Sequence, residues 1–187
     1  MRAVVALWLF LGQPFWDAKA PEQWTDGEID TVLSASPWAI PVGPTPSLLA
    51  YFATALPIED AERELRLRGR NPRPQPDPDY LDFIYQNREA AFVLAIPYTL
   101  PERFGTAEDR RRMEAECEML IGRKSYKIVG HFPPAPGDPV LRLVFPRAVK
   151  PDDKRVVFRL FVPGVPFPER EFDIRPKDLL YRGKLEM

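Results

Sequence analysis

A chain of 187 residues, 45% hydrophobic and 28% charged, has the composition of one globular domain, large enough to bury a core without disulfides or metals. Its 26 basic and 27 acidic side chains leave a net charge of −1, so no overall field selects nucleic acid or an anionic membrane, and no nucleic-acid partner is expected. A single cysteine, Cys117, and a single histidine, His131, exclude an internal disulfide, C-x-x-C redox chemistry and zinc sites built from several thiolates or imidazoles.

The chain opens on MRAVVALWLFLG, one positive charge followed by an apolar run from Ala3 to Leu11. This is the pattern of a secretory leader, and it is too short to span a bilayer. Residues 1–14 are therefore set apart as an apolar leader and residues 15–187 as a single domain, with no transmembrane span. Ala18 and Ala20 in AKA have the spacing of a cleavage site, with Pro21 following the cut. Export, to the periplasm or beyond, is the expectation; a buried first strand of a cytoplasmic protein is the alternative.

All 4 tryptophans, Trp8, Trp16, Trp24 and Trp38, lie near this end. Thr25 and Glu28 in TDGE spell a capping box, so a helix starts after Thr25 and ends by Ser36, before Pro37. Trp24 then closes over Ile29 as a hydrophobic staple, and Ile29, Val32 and Leu33 form the buried stripe. WAIPV and SLLAYFATA read as sheet strands, which makes Trp38 an anchor pinning the segment to the sheet. Trp16 alone is left as the candidate partner-binding residue.

From Pro57 the period turns helical, with Ile58, Ala61 and Leu65 on one face and Gly69 as the stop. RGRNPRPQPDPD is a loop of polyproline character. Asp77 then caps a short helix that carries Tyr80, Leu81, Ile84 and Tyr85. AAFVLAIPY is the best candidate for a central strand, and Thr106 with Asp109 caps a further helix through EDRRRMEAE. Beyond about Glu116 the period shifts to two. KSYKIVGHF, VLRLVF, RVVFRLFV, REFDI and LLYRGKLE alternate as strands, with PGD and KPDDK as turns. The fold class is α+β, with N-terminal short helices packed on a largely antiparallel β-sheet or partial barrel.

No catalytic constellation stands out. His131 shares a strand face with Lys127 and reads as solvated. Cys117 sits among glutamates, which raise a thiol pKa, and reads as buried and inert. The pairs Glu59/Asp60, Asp77/Asp79 and Asp152/Asp153 fall at helix starts and turns, where acids cap amides. RLRGRNPR and DRRRM read as solvated basic faces, and phosphate, dinucleotide and calcium loops are absent. No cofactor is expected.

Trp16, Trp24-Thr25 and SPWA, together with FPR at 145–147 and the closing KDLLYRGKLE, resemble an uncharacterised family of predicted exported bacterial proteins. The resemblance implies export and a single α+β domain, and it brings no activity or catalytic residue. The leader here is shorter than the family pattern. These observations lead to a non-enzymatic exported binding or envelope-associated interaction module, whose partner is an unidentified protein or envelope component. The alternative is a small-ligand-binding protein or hydrolase whose carboxylates meet only in the fold. A closed pocket gathering carboxylates within aromatic walls would favour that alternative.

Overall fold

A computed structural model describes residues 13–44, 47–70, 76–98 and 104–187; the apolar run Ala3–Leu11 and the middle of the RGRNPRPQPDPD loop lie outside these. Two short helical turns lead in: α1 (Phe15–Ala18) and a 3-10 turn (Pro21–Gln23). The capping box forms as read and opens α2 (Asp26–Ser34): Thr25 Oγ1 accepts from the Glu28 amide at 3.2 Å, and Glu28 Oε2 accepts from the Thr25 amide at 2.8 Å. Trp24 and Ile29 are buried on either side of it, as a staple requires. Thr25→Ala is expected to lower stability by about 0.5–2 kcal/mol, visible as a lower denaturation midpoint with an unchanged slope.

Strands β1 (Ala39–Val42) and β2 (Leu48–Phe52) pair antiparallel, and α3 (Leu56–Leu67) follows. Helix α3 buries Ile58, Ala61 and Leu65, and Gly69 ends it in the left-handed conformation at φ 69°. Helix α4 (Pro78–Asn87) starts on Asp77, whose side chain accepts from the Asp79 amide. Its buried stripe is narrower than the sequence suggested. Tyr80 and Ile84 face the core, whereas Leu81 and Tyr85 point outward, Tyr85 at 89% exposure. Next come β3 (Ala91–Pro97), α5 (Ala107–Glu116) on its Thr106/Asp109 box, β4 (Glu118–Ile121), β5 (Lys124–Lys127), β6 (Gly130–Phe132), β7 (Val140–Pro146), β8 (Val156–Phe161) and β9 (Glu169–Ile174).

The strands form two main sheets, a five-stranded one in the order β1-β2-β3-β7-β6 and a four-stranded one in the order β5-β4-β8-β9. Among the described residues every pairing is antiparallel and neither sheet closes into a barrel, which is the α+β class read from the sequence. Strand β3 is central, as its unbroken apolar run implied, because it is covered on both faces. On one face Phe92, Leu94 and Ile96 lie opposite Phe145, Leu143 and Leu141 of β7 and meet the second sheet. There Phe158 of β8 contacts Phe52, Phe92 and Phe145 at ring distances of 5.9, 6.3 and 5.4 Å. On the other face Ala91, Val93 and Val144 pack under Tyr80 and Ile84 of α4.

Strands β1, β2 and β3, read from WAIPV, SLLAYFATA and AAFVLAIPY, supply most of the five-stranded sheet. One sequence expectation needs correcting: KSYKIVGHF is not one strand. Strand β5 pairs with β4, β6 pairs with β7, and Ile128-Val129 carries the chain around the corner between sheets, with the Val129 amide bonded to the Val144 carbonyl at 2.8 Å. An alternating pattern continues through such a corner, so periodicity alone does not reveal it. The chain closes with a 3-10 turn (Pro176–Leu179) and a hairpin of β10 (Leu180–Tyr181) and β11 (Lys184–Leu185). Its two-residue loop has Arg182 and Gly183 both at positive φ, 51° and 77°, the combination a type I′ hairpin needs.

Candidate functional site

The N-terminal aromatic residues assemble into a chain of edge-to-face contacts. Trp24 meets Phe15 at 5.9 Å, Phe15 meets Trp16 at 4.9 Å, Trp16 meets Trp38 at 5.6 Å, and Trp38 meets Tyr181 of the closing hairpin at 6.1 Å. Such pairs add about 0.5–1.5 kcal/mol each beyond burial. Trp24 and Tyr181 are buried at its ends, Trp38 is buried beside Tyr181, and Trp16 is half-buried in the middle. Asp17, beside Trp16, accepts from the Arg182 amide at 2.9 Å, so α1 is tied to the hairpin turn by a polar bond as well.

Polar bonds extend the junction into the core. The Trp38 indole donates to the Glu186 carbonyl at 3.1 Å, Thr54 Oγ1 donates to the Met187 carbonyl at 2.9 Å, and Arg147 Nη2 reaches the same oxygen at 3.2 Å. Glu186 Oε2 accepts from the Leu56 amide at the start of α3. SPWA, FPR and KDLLYRGKLE, far apart in the chain, therefore meet here. The indole N–H of Trp24 has no acceptor among the described residues. Trp38→Phe, which strips the Glu186 carbonyl of its donor, is expected to cost about 1–2 kcal/mol more than Trp24→Phe. Paired denaturation curves check this.

The residues with chemical potential are dispersed. The thiol of Cys117 is buried, makes contacts of 3.4 and 3.5 Å with the Phe161 amide and carbonyl, and is pushed up to about 12 by burial, which fits the inert reading. Between the ordinary thiol value near ~8.5 and this raised one, the unfolded chain releases the proton first. Stability is thus expected to fall as pH rises through that window, by up to about 1.4 kcal/mol per unit, and a thiol reagent should label Cys117 only in denaturant.

His131 is half-buried rather than solvated, with Nδ1 3.6 Å from Glu114 of α5 and its ring tilted against Phe104. Lys127, its supposed neighbour, belongs to the other sheet. Glu59 and Asp60 diverge. Glu59 is raised above the usual carboxylate range by burial, an effect its bond to Arg88 opposes, while Asp60 accepts from the Tyr181 hydroxyl at 3.1 Å and pairs with Arg63 at 2.7 Å. Asp77 caps α4, and Asp153 accepts from the Lys150 amide in the KPDDK turn. Arg68 and Arg70 of the basic loop pair with Asp26, and Arg112 of DRRRM pairs with Glu116 and Glu169.

Sequence reasoning missed two arrangements. The first is a buried pair, Arg142 on β7 held by both oxygens of Asp138 at 2.6 and 3.0 Å, with its guanidinium over the Tyr80 ring at 4.3 Å. The second is an open groove of about 470 Å³ beside the end of α5, which gathers Glu116, Glu118, Glu169 and Glu171. Among the described residues no aromatic side chain lines it. Strand register builds this groove, because Lys127, Glu118, Arg159 and Glu171 stand side by side across the sheet. Glu118 bonds Lys127 at 3.1 Å and Glu171 bonds Arg159 at 2.9 Å. Bonds from Ser125 and Lys127 hold the Glu118 carboxyl below the usual range. A general acid needs the opposite shift. Among the described residues no group of three or more His, Cys, Asp or Glu is placed to hold a metal ion, and no helix is long and apolar enough to cross a membrane.

No protein-family model, curated protein or solved structure matches the chain.

Proposed function

We propose that the protein is a non-enzymatic, exported binding module that acts at the cell envelope, with Trp16 as its partner anchor. The observation that carries this reading is the setting of Trp16: mostly buried with part of its ring at the surface, and fixed edge-on between Phe15 and Trp38 on an element bonded to the closing hairpin. A large aromatic side chain immobilised before binding adds contact area without an ordering cost, which is the property of interface hot spots. The ion-paired state of the groove carboxylates adds support, since paired acids suit a solvated charge lattice better than proton transfer.

The test is photo-crosslinking in intact cells from an unnatural residue at position 16, with the adducts resolved in envelope fractions. A discrete adduct that is absent when the probe sits at Glu22, an exposed position on the neighbouring 3-10 turn, supports the reading. Identical adduct patterns from both positions contradict it.

The four-carboxylate groove is the observation that favours a second reading, a small-ligand-binding protein or hydrolase. On that reading Glu118→Gln abolishes ligand-induced stabilisation; on the leading one it leaves every function of the protein intact.

A further inference from the structure

The net charge of −1 conceals an uneven pairing of charge along the four-stranded sheet. One end of the sheet is the row Lys124, Ile121, Val156 and Ile174, partners across β5, β4, β8 and β9. Just beyond that row lie three connections: the β4–β5 turn with Arg123, the turn that runs from Lys150 to Arg155, and the segment Arg175–Lys177 after β9. The side chains of Arg123, Lys124, Lys150, Lys154 and Lys177 are all exposed and have no ion pair among the described residues. Arg155 and Arg175 stand among them, paired with Asp173 and Asp178. Of the other acids there, Asp153 accepts from the Lys150 amide and keeps its charge, so Asp152 and Asp153 stand against the five unpaired cations. The opposite end of the sheet carries the glutamates of the groove interleaved with Lys127, Arg159 and Arg170, so charge there is paired.

Elsewhere on this surface most arginines reach a carboxylate, as Arg63, Arg66, Arg68, Arg70, Arg112 and Arg159 do. The concentration of unpaired cations at one sheet end is therefore a departure from the molecule's own pattern. We propose that this end of the sheet docks on anionic lipid headgroups. The inference deepens the envelope reading given above and rests on it for its setting.

Three features favour a lipid surface over nucleic acid. The cations come from adjacent connections at one end of a sheet, where strands are about 4.8 Å apart, so they present a broad front rather than a groove. Lysines predominate, and a lysine is a point charge suited to diffuse attraction rather than to forked capture of a single phosphate. No aromatic residue stands among them to stack on a base. Clustered basic residues of this kind bind anionic bilayers additively, by about fivefold per residue.

The experiment is co-sedimentation of the full chain with vesicles of phosphatidylglycerol and phosphatidylcholine in equal parts, against vesicles of phosphatidylcholine alone. Binding to the anionic vesicles that weakens with salt is expected. Lys124→Gln, Lys154→Gln and Lys177→Gln combined should weaken it about 100-fold. Arg111→Gln, on the exposed face of α5 away from this end, should change it by less than about twofold. Matching circular-dichroism melts confirm that the variants fold. Equal binding to both vesicle types, an unaffected triple variant, or tighter binding to duplex DNA than to anionic vesicles would overturn the inference. None of these outcomes touches the adduct from position 16, so failure here is separable from failure of the partner-anchor reading.

Discussion

Asp138→Ala is expected to destabilise the protein by about 3–5 kcal/mol, among the largest effects of any single surface-distant polar change. Arg142 is 4% exposed and sits on the α4 face of the central sheet, level with Ala95 and beneath the Tyr80 ring. Both Asp138 oxygens bond its guanidinium, and one also accepts from the Asp77 amide at 3.1 Å. Removing the carboxylate leaves a buried cation without its counter-charge and frees the cap region of α4. Adding Arg142→Met to Asp138→Ala should recover much of the loss, because a flexible apolar side chain fills the space and removes the stranded charge. Recovery should stay incomplete, since the Asp77 amide still lacks its acceptor. Guanidinium denaturation of the wild type, the single variant and the double variant gives both numbers.

Phe158→Ala should cost a comparable amount, about 3–5 kcal/mol, for a different reason. The Phe158 ring is fully buried where the two sheets meet, against Phe52, Phe92 and Phe145, and stacks on Phe172 of the neighbouring strand at 5.0 Å. Truncation opens a cavity lined by rings that belong to both sheets and cannot follow the missing atoms. Phe167→Ala, at a side chain 64% exposed, should change stability by less than about 0.5 kcal/mol and serves as the contrast. If the two phenylalanine variants had equal midpoints, the face-to-face packing of the sheets would be wrong.

Local structure was legible wherever a short-range physical rule decides it. Thr25 with Glu28, Thr106 with Asp109 and Asp77 before Pro78 each opened the helix they announced, because a cap is made by residues two or three positions apart. The unbroken apolar run from Ala91 to Ile96 marked the central strand, because a strand covered on both faces has no polar side. Long-range pairing was not legible. The order of strands decided that Lys124–Lys127 and Gly130–Phe132 belong to different sheets, and it is a property of partners far along the chain. For the same reason the alternation of VLRLVF does not reveal that Arg142 is buried, with α4 covering that face and Asp138 holding it inside. The groove glutamates and the basic sheet end were hidden likewise, since both depend on register between strands that one sequence does not display.

Trp24 and Trp38 hold the positions their staple and anchor roles require. Trp16, taken from the sequence as the tryptophan without a structural duty, is packed against Trp38 and yet keeps part of its ring at the surface. Its element also bears on export. Cutting after Ala20, the site with the spacing of a processing signal, would remove Phe15, Trp16 and Asp17, together with their contacts to Trp24, Trp38 and Arg182. An exported protein that keeps its aromatic junction must be cut upstream of Phe15.

Mass spectrometry of the protein's N-terminus after cell fractionation tests the central claim, that an exported module carries Trp16 as its anchor, most directly. The expected result is a chain in the exported or envelope fraction that begins before Phe15. A chain found in the cytosol with Met1 intact, or one that begins at Pro21, would contradict it.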